Sequence, residues 1–166
     1  MIIPVLERNG GSCLIESCYR FCPVENNYKA FRPIADIRSR IENKRAEFHH
    51  TVGVHIRRGD HTVSAQASTT DKFIHAMENL REENPDITFF LCTDSIPLKN
   101  KLIRDFENRI IVNDIGSVDR NRREAIREAL IDLFCLAGTE KIYGSYWSTF
   151  SQVAADIGGI EEISIK

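Results

Sequence analysis

From residue 51 onward, short and nearly continuous apolar runs alternate with longer amphipathic stretches, and this alternation constrains the fold more than any other feature of the sequence. A run that is apolar at almost every position suits a strand covered on both faces, and strands separated by helices pair in parallel. The runs fall at residues 52–56, 87–92, 109–112 and 141–143, with a last one at 162–165. Between them, residues 70–83 carry Phe73, Ile74, Met77 and Leu80 at helical spacing. Thr69 or Thr70 serves as cap there, Asp71 adds favourable first-turn charge, and Pro85 stands just past the end. Residues 97–106 repeat the pattern more briefly. Residues 121–137 repeat it through Ile126, Ala129, Leu130, Leu133 and Phe134, with Gly138 as the stop. A final helix begins at Ser148 or Thr149 and runs to residue 157, where Gly158 and Gly159 end it. The expected fold class is α/β, a Rossmann-like parallel sheet with flanking helices.

The first fifty residues differ in texture. Residues 1–6 and 13–18 suit strands, Asn9-Gly10-Gly11 a turn, 26–33 an irregular connection and 33–48 a charged amphipathic helix. A division follows, with 1–50 as a short amino-terminal region and 51–166 as the main unit. With 166 residues, one domain is the starting assumption. The formal net charge of -2 offers no global basic field to draw the chain onto nucleic acid, so any anion site has to be local. No apolar run approaches the roughly 20 residues that span a bilayer, and the amino terminus lacks the layout of a signal peptide, so a cytoplasmic location is the default expectation.

Five cysteines are present. Cys13, Cys18 and Cys22 cluster with four and three residues between them and could hold a metal, but zinc sites usually add a second cysteine pair or histidines elsewhere, and the odd count argues against a disulfide framework, so no metal is assigned. Cys92 and Cys135 lie in apolar runs and read as buried small hydrophobes.

In open α/β sheets ligands bind beyond the carboxyl ends of strands, so polar residues directly after 52–56 lie where chemistry is expected. His55-Ile56-Arg57-Arg58-Gly59-Asp60 occupies that place. Period-2 alternation puts His55 and Arg57 on one face and Arg58 on the other, so one arginine should point into the cleft. An arginine fork offers two parallel charge-assisted hydrogen bonds to a phosphate. Alternatively, Arg57 and Asp60 form a surface ion pair and His55 is a satisfied core imidazole. Two further segments favour the phosphate. Cys92-Thr93-Asp94-Ser95 brings a carboxylate and hydroxyls to the same sheet edge, unless Asp94 or Ser95 serves only as a helix cap. The segment from Gly144 through Ser148, Thr149, Ser151 and Gln152 opens a helix whose free N–H groups and positive dipole end attract anions.

The segment Val52-Gly53-Val54-His55-Ile56-Arg57-Arg58-Gly59-Asp60 resembles the His-x-Arg-Arg-x-Asp motif of alpha-1,2 and alpha-1,6 fucosyltransferases. Nodulation and protein O-fucosyltransferases look like more distant relatives. The resemblance extends through Phe90 to Asp94, Ala129 to Leu133 and Ser148 to Ala154. It implies the donor-binding half of a GT-B glycosyltransferase that is inverting and needs no metal or other cofactor. The implied donor is GDP-fucose or another GDP-sugar, and the implied acceptor is a glycan. Arg57 would grip the β-phosphate and assist departure of GDP, with His55 and Arg58 beside the nucleotide and Asp94 near the ribose or sugar. Asp132 would bond the guanine edge, since a carboxylate accepts from both N1–H and the exocyclic amine; otherwise it is a helix-surface aspartate. Thr149, Ser151 and Gln152, with Ser148, would hold phosphate oxygens. Where alpha-1,6 enzymes carry a Lys and a Glu, this sequence has His61 and Ala65, which leaves Asp60 or His61 to deprotonate an acceptor hydroxyl.

Size departs from the family, because a GT-B enzyme builds its active site between two domains. Residues 1–50 then represent a remnant or edge of an acceptor domain, with another chain or domain supplying the acceptor site. The alternative is a non-catalytic GDP-sugar-binding module. A metal-dependent hydrolase using His49, His50, His55 or His61 is disfavoured by the lack of an H-E-x-x-H or paired-carboxylate spacing.

Overall fold

A computed structural model describes residues 28, 31–59, 62–113 and 122–166. The strands expected at 1–6 and 13–18, the turn at Asn9 and the Cys13, Cys18 and Cys22 cluster lie outside the described residues, as do Asp60 and His61. Five strands form one sheet: β1 (Thr51–Ile56), β2 (Thr88–Thr93), β3 (Ile110–Ile111), β4 (Lys141–Ser145) and β5 (Glu161–Ile165). Their order is β3-β2-β1-β4-β5, and every pairing is parallel. Helices α1 (Ala35–Arg45), α2 (Thr62–Ala67), α3 (Thr70–Glu83), α4 (Ile96–Phe106), α5 (Arg123–Leu136) and α6 (Thr149–Gly158) connect and cover it.

Alternation along β1 decides what covers each face. Val52, Val54 and Ile56 point into a core with Phe73, Met77 and Leu80 of α3 and Leu98, Leu102 and Phe106 of α4. On the other face, Phe90, Cys92 and Ile142 pack with Ile37 and Ile41 of α1, Ile131, Cys135 and Leu136 of α5, and Ala154 and Ala155 of α6. Helix α1 therefore shares a core with the sheet, and the Arg40–Glu128 and Asp36–Arg127 ion pairs join it to α5.

Two features differ from the sequence expectation. Residues 62–67 form a short helix that carries no apolar stripe in TVSAQA to announce it. In α5 the buried set is Ala125, Ile131, Asp132, Cys135 and Leu136, whereas Ile126 and Leu130 are exposed. The helix meets the sheet on one side and α1 and α6 on others, and that wide contact, rather than the most apolar stripe, sets its rotation. Gly138 follows the helix as expected, and Cys92 and Cys135 are buried.

Candidate functional site: the crevice between β1 and β4

The chain runs outward from β1 to β2 and β3, then crosses back to place β4 on the other side of β1. Adjacent loops beyond β1 and β4 therefore diverge to opposite sides and leave a crevice, the place where open α/β sheets bind ligands. His55 is the buried penultimate residue of β1, in register with Cys92 on one neighbour and Gly144 on the other. Its ring stacks on Phe150 with centroids 4.9 Å apart. Nδ1 lies 3.5 Å from Ser148 Oγ. Burial pushes its pKa down to about 4, with Arg57 adding to the fall and Asp94 opposing it. The imidazole is thus neutral at neutral pH and acts by packing and hydrogen bonding.

The two arginines separate. The Arg57 backbone N–H donates to Ser145 Oγ at 2.9 Å, and its Nη1 lies 3.2 Å from Asp94 Oδ2. Arg58 turns to the start of α3: Nε and Nη2 donate to Thr70 Oγ1 at 3.3 and 3.2 Å, and Nη1 donates to the Arg57 carbonyl at 2.8 Å. Burial lowers the Arg58 pKa, partly offset by Asp94. Asp94 gathers the whole loop, since Oδ1 accepts from the Arg58 N–H at 2.7 Å and Oδ2 from the Gly59 N–H at 3.1 Å. A Cβ at Gly59 would sit 2.9 Å from Asp94 Oδ2, so glycine permits the approach. Ser95, not Asp94, caps α4 by accepting from the Leu98 N–H at 3.4 Å. An open cavity of about 360 Å³ lined by Arg58, Gly59, Asp94, Ser95, Ile96 and Pro97 adjoins this loop.

Across the crevice, Ser145 Oγ donates to the His55 carbonyl at 3.3 Å while accepting from Arg57, which locks the ends of β1 and β4 together. Ser148 is the N-cap residue of α6 but makes no side-chain cap bond, so the amides of the first turn keep their donor capacity toward the crevice mouth. Thr149 and Gln152 are exposed in that turn. Ser151 is fully buried instead, its Oγ 3.2 Å from both the Ser148 carbonyl and Glu162 Oε1. Burial raises the Glu162 pKa, opposed by Ser151 and Lys166. A Cβ at Gly144 would lie 2.1 Å from Glu162 Oε1 and 2.5 Å from Ser151 Oγ, so this inward turn of Ser151 depends on glycine in β4.

Asp132 is not a helix-surface residue: it is 5% exposed. Burial pushes its pKa up to about 7, while the Asn113 amide, Lys99 and the Cys92 thiol pull it down and Glu128 pushes it up. Oδ1 has no hydrogen-bond partner among the described residues. Asn113 Nδ2 donates to Glu128 Oε2 at 2.9 Å, where Arg40 Nη2 also arrives at 2.8 Å, and Lys99 Nζ donates to the Asn113 carbonyl at 3.2 Å. Asp132 thus lies beside β2, one strand from His55, on the face that His55 shares.

Sequence reasoning had Thr70 only as a helix cap and Ser145 only within the segment that opens α6, and it missed their contacts with the arginine loop and this Asn113, Glu128, Arg40 and Lys99 network. Asn113 carried a weak signal, a polar residue just past an apolar run; the others carried none, because their partners are distant in sequence. Among the described residues no group of three or more His, Cys, Asp or Glu could hold a metal ion, and His49, His50 and His55 do not converge. His50 is exposed, with Nδ1 3.2 Å from Glu140 Oε1. No described helix is long and apolar enough to cross a membrane.

Solved structures of similar fold include fucosyltransferases. POFUT1 in complex with GDP superposes with a TM-score of 0.58 at 12% identity, covering 83% of this chain and 48% of that one. NodZ alpha-1,6-fucosyltransferase co-crystallized with GDP gives 0.52 at 21%, covering 72% and 40%. Fucosyltransferase NodZ from Bradyrhizobium gives 0.51 at 21%, covering 73% and 41%. The chain thus has the Rossmann-like α/β fold of these enzymes and spans less than half of their length. No family model and no curated protein matches the sequence.

Proposed function

We propose that this chain binds a GDP-sugar, GDP-fucose in particular, in the crevice between β1 and β4, as the donor-binding half of a GT-B glycosyltransferase. The observation that carries this is that Arg57 and the uncapped first turn of α6 both follow the ends of β1 and β4 at the switch point of the sheet, where the Arg57 N–H bonds Ser145 Oγ. A guanidinium and a helix amino terminus at one strand edge can each bind phosphate oxygens and stabilise the charge that develops as a diphosphate leaves. The fold adds support, because its neighbours include POFUT1 in complex with GDP-fucose, at a TM-score of 0.56.

In this assignment Arg57 binds the β-phosphate, with Ser148, Thr149 and Gln152 at the helix start taking the remaining phosphate oxygens. Ser151 supports that turn from beneath, and His55 packs beside the nucleotide as a neutral ring. Asp94 orients Arg57, and Arg58 fixes the loop to α3. Asp132 offers its unpaired oxygen to the guanine N1–H and exocyclic amine, donors that would satisfy a buried acceptor. An acceptor hydroxyl then attacks the anomeric carbon as its bond to the β-phosphate oxygen breaks, inverting the centre and releasing GDP without a metal. Asp60 or His61 takes the hydroxyl proton. Residues 51–166 form the donor unit, and α1 packs against its sheet.

A second assignment is a GDP-sugar-binding module that transfers nothing by itself, favoured by the Asp94 carboxylate being engaged with Arg57 and two backbone amides and by the burial of His55, so that neither is placed to take an acceptor proton. There a second chain or domain supplies the acceptor site. Calorimetric titration with GDP-fucose tests donor binding in both. Arg57→Ala should weaken binding by on the order of 2 kcal/mol or more, the loss of a charged hydrogen-bond pair. Equal affinity in the two proteins would sink the assignment. Release of GDP in the presence of glycan acceptors separates enzyme from module.

A further inference from the structure

Trp147 is the sole tryptophan of the chain. Its backbone φ is +61°, in the left-handed region that bulky residues rarely adopt. It occupies the third position of a turn closed by the Ser148 N–H on the Ser145 carbonyl at 3.2 Å, where glycine is the relaxed choice. The turn itself is well held: the Tyr146 N–H donates to Ser68 Oγ at 2.7 Å, and Ser68 Oγ donates to the Ile165 carbonyl. The residue is nevertheless 44% exposed, at the mouth of the crevice directly before the N-cap of α6. A large ring is therefore held by a rigid turn in a conformation that disfavours it, and much of its surface faces solvent.

Strand order says which part of a ligand it would meet. Asp132 stands beside Cys92 of β2, Arg57 and the first turn of α6 flank the junction of β1 and β4, and Trp147 extends from β4, whose outer neighbour is β5. A nucleoside diphosphate with its base toward Asp132 and its phosphates at the junction carries its terminal group over β4. We propose that Trp147 is the stacking platform for the sugar ring of that donor. The C–H face of a deoxyhexose is the chemistry it fits, because an indole buries a large apolar area at little conformational cost. This rests on the assignment of the crevice to a GDP-sugar.

Trp147 is its own reporter. Emission and calorimetry are followed for the full chain with GDP and with GDP-fucose, alongside Trp147→Gly and Trp147→Phe by calorimetry. Glycine suits the turn, so the thermal midpoint of that variant should equal or exceed the wild type. GDP-fucose should shift the Trp147 emission to shorter wavelength and GDP alone should not. Trp147→Gly should lose about tenfold in affinity for GDP-fucose but stay within about twofold for GDP, with Trp147→Phe recovering most of the difference. Unmoved emission at saturating GDP-fucose, or equal losses for GDP and GDP-fucose, would overturn the platform while leaving donor binding intact. Absence of any binding by the wild type overturns both.

Discussion

Asp94 and Asp132 show how differently two carboxylates act within one sheet. Asp94 is spent on the protein, holding two backbone amides and the Arg57 guanidinium, so it sets the position from which Arg57 can reach a ligand. Asp132 has an oxygen to spare in a buried setting, which costs the apo fold stability. Its pKa rises from 3.8 to about 7 on folding. A raised carboxyl pKa means that the folded state binds the proton more tightly. The corresponding stability is present in full below pH 3.8 and is lost as pH rises through about 7, a change on the order of 4 kcal/mol. Buried neutral His55 adds stability as pH rises over part of the same window, so the test is a comparison: between pH 5 and pH 8, urea unfolding should show the wild type losing more stability, or gaining less, than Asp132→Asn does. Equal pH dependence in the two proteins would refute the buried-carboxyl account. The burial of Asp132 was not legible in the sequence, because a helical stripe counts aspartate as a solvent-facing residue. The choice between Arg57 and Arg58 was half legible: alternation separated the two faces, but only the contact with Thr70 shows where Arg58 goes.

At the scale of elements, runs and periodicity located all five described strands and the long helices to within a few residues, because β-branched runs and helical stripes are local signals. Helix α3 begins and ends as its spacing indicated, although Thr69 makes no side-chain cap bond. What the sequence did not contain is contact between elements. Ser151 was expected among the phosphate-binding hydroxyls, yet its side chain turns down onto β4 and β5, and the reason lies in Gly144. Gly144→Ala should push Glu162 and the first turn of α6 outward, costing about 1–3 kcal/mol of stability and weakening GDP-fucose binding in parallel. Thermal unfolding together with calorimetry measures both. A variant with wild-type stability and affinity would show that α6 does not depend on this close approach.

At the scale of the molecule, the order β3-β2-β1-β4-β5 does what no single motif does. It brings a loop near residue 57 and a helix start near residue 149 to one crevice, and Ser145 bonds the two strand ends together. Sequence alone indicated a parallel sheet but not its order, because nothing local records which strand lies beside which. Helix α1 joins the same body through Ile37 and Ile41, so part of the first fifty residues packs with the sheet. The central claim is that the diphosphate of a GDP-sugar sits in this crevice. A crystal soaked with GDP measures it most directly. The account predicts density for the diphosphate between the Arg57 guanidinium and the first turn of α6, with guanine reaching Asp132. GDP bound anywhere else on the chain, with that crevice vacant at saturating nucleotide, would contradict it.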